Sequence, residues 1–492
     1  MKKKSLSVIL AVLIAAAIFA SCSDSSGSKD NLSSKETDNF TSEDVTAEAL
    51  PDSLDYRQTV SDDLPTLDFD GREFRIFYQK RYTTDAIPET ESETGDVLND
   101  AVYRRNQTVE ERFNVKIHGI QGEEDAMVQA LIKSVSAGDD AYDLFLGHSI
   151  YSSKAALNGY FRNLYDIEYI DFEKPWFPQF AIKGLTINGK MFMSVGDICL
   201  SAISNTYCMY FNKEFAANYN VPDLYTTVSD GQWTIDKLAE TAQPLYDDIN
   251  GDTKKDENDC FGFTSEVANH ATTWLFSCDV PTIEIGNDGT VMSVFNSERA
   301  VGLIEKLRNL YFDNPGTYCK QSFGETPVQM FRDGRILLIS GGLIDANKFR
   351  DIEFDYGIIP YPKYNEEQEN YFTIPGGSVS CLTIPATVTD TVFVGALTTA
   401  LCRESWVNVV PVYYDIVLKV KGVRDETSIG MLDIITNGRL INATFIYDAF
   451  TGYTYKMTEL VTSKKDLASF CAANDKRVIA HFEKVVGLFF ED

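Results

Sequence analysis

Apolar and polar positions alternate around Phe74 and Ile76 just after Gly71, a two-residue period that predicts a short strand. Leu98, Val102, Val109 and Phe113 then recur at near-helical spacing up to Asn114, and an alternating run, Val115 to Ile117, follows. A second helical pattern, Met127, Leu131 and Val135, stops at Gly138 and leads into an apolar run from Tyr142 to Leu146. Strand and helix therefore alternate in β-α-β-α-β order. That order predicts a largely parallel sheet with helices on its faces, and ligands of such sheets sit beyond the carboxyl ends of the strands. The loop Gly147-His148-Ser149 is delivered to that edge.

Further along, Ile187-Asn188-Gly189-Lys190 reads as a hairpin, and a first passage between lobes is expected near 198–206, where Leu200 to Asn205 are mainly small residues. A second lobe opens with a helix from Trp233-Thr234-Ile235 to about Tyr246. It continues through Gly262-Phe263, a helix near Val301 to Phe312, and the run Ile336 to Ser340 that ends in Gly341-Gly342. Tyr356 to Pro362 reads as a strand heading back, the return passage lies near Phe372, and Gly376-Gly377 begins another strand of the first lobe. Beyond Asp390 the pattern is mostly helical, and no internal repeat is visible. The expected fold is α/β with two lobes, each a mainly parallel sheet flanked by helices, joined by a hinge. The first lobe is expected to take 69–198 and about 373–420, the second about 206–372 with C-terminal helices from about 421 to 492.

The amino terminus changes the picture. Lys2, Lys3 and Lys4 precede an apolar run from Leu6 to Phe19 and small residues before Cys22, the pattern of a secretory signal over 1–21. The run is shorter than the ~20 residues a helix needs to span a bilayer. Phe19-Ala20-Ser21-Cys22 resembles a bacterial lipobox, although leucine is usual where Phe19 stands, and implies lipidation of Cys22; a plain signal peptide is the alternative. Residues 22–68 are rich in Ser, Asp, Thr and Glu and read as a disordered tether, placing the protein on the outer face of the membrane.

A formal net charge of −29 argues against nucleic acid as a partner. The cysteines after Cys22 are scattered without a CxxC and are expected to be mostly buried free thiols, although they could pair. The four histidines, His118, His148, His270 and His481, lack metal-ligand spacing.

Several short segments together resemble the extracellular solute-binding proteins of ATP-driven importers, in particular their large sugar-binding group. Asn99-Asp100-Ala101-Val102-Tyr103 with Val109 to Val115 looks like that family's first helix and following strand. Tyr210-Phe211-Asn212-Lys213-Glu214 looks like its segment after the first crossing, Trp233-Thr234 like a helix start, and Phe331-Arg332-Asp333-Gly334-Arg335 like a helix end. The resemblance spans roughly 70 to 490 and implies a type II periplasmic-binding-protein-like fold without catalysis. In such proteins two lobes close on a ligand and the closed form docks on a permease. A monomer that takes a small solute, a sugar and specifically an oligosaccharide, is the expected form.

Sugars present hydroxyls and an apolar ring face, so flat aromatics and polar groups on cleft-facing loops are the candidates. In the first lobe these are His148, Ser149, Trp176 and Asp197; at the crossing or in the second lobe they are Tyr207, Trp274 and Gly342, with Gly377 allowing close backbone approach. Each has a plain alternative: Trp176 and Trp274 as core residues, Asp197 as a turn cap, His148 as a satisfied loop histidine. Trp233 is assigned to packing.

The stretch 248–259 has the spacing of a calcium loop, with Asp248, Asn250, Asp252, Asp256 and Asp259 at positions one, three, five, nine and twelve and the Lys254 carbonyl at seven. Thr253 stands where glycine is usual and Asp259 where glutamate is. A structural Ca2+ is the expectation, against a solvated acidic turn. A secreted glycosidase using two carboxylates is a rival function, but no pair is singled out and no nucleophile elbow, zinc helix or phosphate loop is present. A ligand-sensing surface protein without a transport role is a second rival, which an adjacent permease gene would exclude.

Overall fold

The computed structural model describes residues 54–79, 90–322, 324–418, 426–463 and 465–490. The leader, Cys22 and the first part of the tether lie outside them. In the first lobe, strands β1 (Arg72–Gln79), β2 (Val115–Gly122), β3 (Leu144–His148) and β12 (Ser380–Thr383) lie in the order β12-β3-β1-β2. β1 pairs in parallel with β2 and β3, whereas β12 runs antiparallel to β3. The crossover helix Val97–Phe113 starts where the Asp96 side chain accepts from the N–H groups of Leu98 and Asn99, and it ends at Asn114 in the left-handed conformation. Its stripe of Ala101, Val102, Val109 and Phe113 is buried. Gly138, at φ +68°, ends the helix Glu124–Ala137 in the same way.

The second lobe contains β4 (Tyr207–Asn212), β5 (Tyr246–Asp247), β6 (Cys260–Glu266), β9 (Thr317–Lys320), β10 (Ile336–Gly342) and β11 (Tyr356–Ile359), beside a separate small hairpin of β7 (Ile283–Ile285) and β8 (Val291–Ser293). The sheet order is β11-β4-β10-β6-β5, with β9 also on β6. This sheet is mixed: β10/β6 and β6/β9 are parallel, β4/β10, β11/β4 and β5/β6 antiparallel. The reason is connectivity. β4 carries the chain away from the waist, so it runs against the strands that bring the chain back, as β12 does in the first lobe.

At the waist Tyr207 donates its N–H to the Ile374 carbonyl (3.1 Å) and Gly376 to the Asn205 carbonyl (3.0 Å). A third pass joins these two: Thr373 N–H bonds to the Gly438 carbonyl (2.8 Å) and Leu440 N–H to the Thr373 carbonyl (2.7 Å). The small-residue stretch before it is a buried helical turn, Ser201–Ser204.

Two sequence expectations are corrected. Residues 54–68 are not part of a tether. The helix Leu54–Thr59 lies on the first lobe, where the buried Arg57 donates to the Trp406 carbonyl and sits 4.9 Å over the Trp406 ring. Asp62 pairs with Arg112 and Asp63 with Lys174, while Val60, Leu64 and Leu67 pack on the core. The C-terminal helices do not belong to the second lobe alone. Thr391–Asn408 packs on Val97–Phe113, Glu426–Asn437 on β11, Ala443–Ile446 on the helix Ser149–Ala156, and Met457–Ser463 on the helix Glu298–Arg308. The last helix, Leu467–Phe490, meets β8 in one lobe, while its Phe489 meets Phe192 of the other edge-on. Its buried residues, among them Val478, Phe482, Val485 and Phe489, need cover from both sides.

The eight cysteines of the described residues are free thiols, six of them buried and Cys260 and Cys319 partly so.

Candidate inter-lobe site

Above the waist, the carboxyl end of β3, the turn before β12 and the C-terminal segment around 445–455 come together, the candidate place for an inter-lobe cleft. Ser149 ties the first two together: its N–H donates to the Val379 carbonyl (2.9 Å) and its hydroxyl to the Gly377 carbonyl (2.8 Å). Two glycines in that turn admit two phenols. A Cβ on Gly377 would lie 2.5 Å from Tyr455 Oη, and one on Gly376 would lie 3.1 Å from Tyr207 Oη. At Gly377 the room a side chain would take is filled by the Tyr455 phenol.

Around this point aromatic rings form a belt from one lobe to the other. His148 lies 4.5 Å from Tyr151, Tyr151 5.9 Å from Phe450, and Phe450 4.7 Å from Tyr455 (ring centroids). Tyr455 stacks on Phe445 (5.9 Å), which meets Phe276 of the second lobe edge-on at 5.2 Å. Most of these rings are buried or half-buried, but Phe450 is 44% exposed. It is held out by a backbone that side chains seldom adopt, Ala449 at φ +50° and Phe450 at φ +63°. The Tyr455 hydroxyl is buried without a hydrogen-bond partner.

Beneath the cleft, on the second-lobe side, Tyr207 meets His270 edge-on at 5.1 Å, and His270 Nδ1 lies 2.7 Å from Tyr361 Oη. Burial, aided by the Lys348 charge, drives the His270 pKa down to about 3, so the ring is neutral. Trp274 donates its indole N–H to Tyr311 Oη (2.6 Å) and packs edge-on against Tyr361.

The sequence candidates divide accordingly. His148, Ser149, Gly377 and the half-buried Tyr207 lie together at this junction, with His148 and Ser149 buried. Trp176 and Trp274 do not serve as platforms, since both are fully buried, Trp176 against Phe177 and Trp406. Trp233 is likewise buried and donates to the Pro360 carbonyl (3.0 Å). Gly342 is buried at the end of β10, where its N–H meets Asp345 (2.8 Å) and its carbonyl accepts from Tyr210 (2.8 Å). Asp197 is buried at the edge of the waist, its N–H on the Trp176 carbonyl (3.0 Å), with the charges of Arg57 and Arg439 nearby. Burial outweighs those cations and raises its pKa to about 7. Sequence reasoning missed Tyr151, Phe450, Tyr455 and His270. The one available signal was the aromatic- and glycine-rich stretch Phe450-Thr451-Gly452-Tyr453-Thr454-Tyr455, which follows no helical or strand period.

Away from the cleft, a cavity of about 290 Å3 lies near the waist-distal end of β4, lined mainly by apolar residues including Phe211, Val221 and Leu224. It shares no residue with the belt. No helix among the described residues is long and apolar enough to cross a membrane.

A family model described as bacterial extracellular solute-binding protein matches residues 106–398. No curated protein matches the chain in sequence. Among solved structures, a cyclo/maltodextrin-binding protein complexed with maltotetraose is similar at 14% identity and TM-score 0.53, over 85% of this chain and 97% of its own. A maltose/maltodextrin-binding domain from Bdellovibrio bacteriovorus, bound to maltotriose, is similar at 13% identity and TM-score 0.52, over 84% and 98%. The GacH receptor of Streptomyces glaucescens, solved unliganded and with acarbose, aligns at 11% identity and TM-score 0.53, over 86% and 99%. At these identities the likeness establishes the two-lobed fold.

Proposed function

The chain belongs to the bacterial extracellular solute-binding proteins, and from that premise we propose that it captures an oligosaccharide between its lobes and delivers it to an ABC permease. The observation that carries this reading is the aromatic belt crossing the cleft, with Phe450 held exposed by left-handed backbone. Strained backbone is tolerated where the surrounding structure holds it for use. A flat, apolar face beside phenol hydroxyls suits a pyranose, which is apolar on its ring face and polar at its rim. Tyr455 supplies a buried hydroxyl without a partner, and Tyr151, Tyr207 and His148 add polar atoms around it. The three structural relatives are described with maltotetraose, maltotriose and acarbose, which supports a glucan-like oligosaccharide as the solute class.

In this reading the chain binds without chemistry and acts as a monomer. It is held outside the cell by a lipid on Cys22 after removal of residues 1–21, a reading supported by the charged, apolar and small-residue sequence of that segment.

The test is thermal unfolding of the protein against malto-oligosaccharides of increasing length, other saccharides and peptides. A ligand bound only by the folded state stabilises it by RT ln(1 + [L]/Kd), about 2.7 kcal/mol at 100 Kd. The expected result is a rise with one class of oligosaccharide and an unchanged saccharide after incubation. A rise with peptides alone, or hydrolysis of the sugar, would refute the proposal.

A further inference from the structure

The connection 248–259 has no part in the cleft. Its two ends are brought together by the sheet: β5 and β6 pair antiparallel, with Tyr246 opposite Phe261 and Asp247 opposite Cys260. Asp248 and Asp259 therefore leave the end of one hairpin as facing neighbours. Between them, the Asp248 carboxylate accepts the N–H groups of Gly251 and Thr253 (both 2.8 Å), Asn250 that of Asp252 (2.9 Å), and Asp252 that of Lys254 (2.8 Å). Thr253 sits at φ +64°, the backbone conformation a glycine would ordinarily supply there.

Loop winding alone names no ligand; Asp259 does. It is fully buried, and its Oδ1 has no hydrogen-bond partner. Its Oδ2 accepts from the Asp256 N–H (3.1 Å) and the Tyr246 hydroxyl (3.3 Å), which turns the carboxylate toward the loop. A buried carboxylate oxygen lacking a donor is costly unless a cation meets it. The neighbouring lysines do not: Lys254 reaches Asp252 (3.8 Å), and Lys255 lies over the Tyr246 and Phe261 rings (5.8 and 5.6 Å) and near the Asn314 carbonyl (3.5 Å).

We propose that this hairpin loop holds one hard divalent cation, calcium, through Asp248, Asn250, Asp252, the Lys254 carbonyl, Asp256 and Asp259. All donors are oxygens, and their number falls in the six to eight that calcium takes. No three His, Cys, Asp or Glu side chains among the described residues form a ready-made metal cluster. The proposed set depends on an amide and a main-chain oxygen as well, and its carboxylates close around the ion on binding. Asp259, shorter than glutamate, gives Oδ1 as a single ligand. The ion fastens the β5–β6 hairpin at the edge of the second-lobe sheet and is independent of solute capture.

The experiment is isothermal titration of CaCl2 into chelator-stripped protein, with thermal unfolding in calcium, magnesium and EDTA. Expected are one site with Kd on the order of 1 mM or tighter, as for extracellular calcium modules, and a higher unfolding temperature in calcium than in equal magnesium or EDTA. Asp259 is buried, so its replacement could disturb folding. Asp252→Ala, which removes the ligand oxygens at a solvent-accessible position, is expected to lose heat and shift while melting like the parent in EDTA. Absence of binding heat, or a calcium shift that survives unchanged in Asp252→Ala, would overturn the assignment.

Discussion

Phe450→Ala is expected to weaken oligosaccharide binding about 10–100-fold and to leave the unfolding temperature of the free protein unchanged. The size follows from the face that a sugar would cover: burying a Phe side chain contributes about 1.5–3 kcal/mol, and 1.4 kcal/mol is tenfold in affinity. The absence of a folding cost follows from its 44% exposure. Phe450→Gly separates the two roles more sharply. It removes the same ring and also releases a side chain from φ +63°, so the free protein should melt at or above the parent temperature while binding weakens as in Phe450→Ala. Titration calorimetry with the preferred saccharide reads both variants, and parent-like affinity in either would remove the belt from the site.

Asp197→Asn is expected to stabilise the protein by up to about 4 kcal/mol at pH 8 and to make its stability fall steeply on acidification. The Asp197 pKa is raised by burial from 3.8 to about 7, so the folded state binds this proton more tightly than the unfolded chain does. Its contribution is therefore fully present below about pH 4 and is lost as pH rises toward 7. His270 works in the opposite sense. Its pKa falls from 6.5 to about 3, so the neutral ring's contribution is present above pH 6.5 and is lost as pH falls toward 3. In the parent the two slopes offset each other between pH 4 and 6.5, and the variant leaves the histidine slope exposed. Urea unfolding midpoints from pH 4 to 8 check this; parallel profiles for parent and variant would mean that Asp197 is ionised in the fold.

Where a segment announces itself by period and ends in a recognisable cap, its place was legible. The helix Val97–Phe113 and its partners β1, β2 and β3 lie where spacing put them, because the buried stripe, the Asp96 cap and the left-handed Asn114 all act locally. The arm at 54–68 was illegible because its few apolar residues are dispersed and Arg57 finds its partner, Trp406, 349 positions away. The tryptophans misled for a related reason. A ring that suits a sugar also suits a core, and the choice for Trp274 is made by Tyr311 and Tyr361, both distant in sequence. Phe450 was missed because a strained turn has no period to read, whereas a glycine such as Gly377 is visible in the sequence as room, which here the Tyr455 phenol takes.

The docked arm also decides which half of the molecule is ground and which is lever. Every contact named for it, to Trp406, Arg112 and Lys174, is made with the first lobe. The chain therefore enters the described structure on that lobe, and a closure of the lobes would be seen from the arm as a swing of the second lobe, with its Phe276, against the first lobe's Tyr151. In the lipid-anchored arrangement proposed above, the first lobe would be the fixed jaw, and the position of the second would report the arrival of cargo.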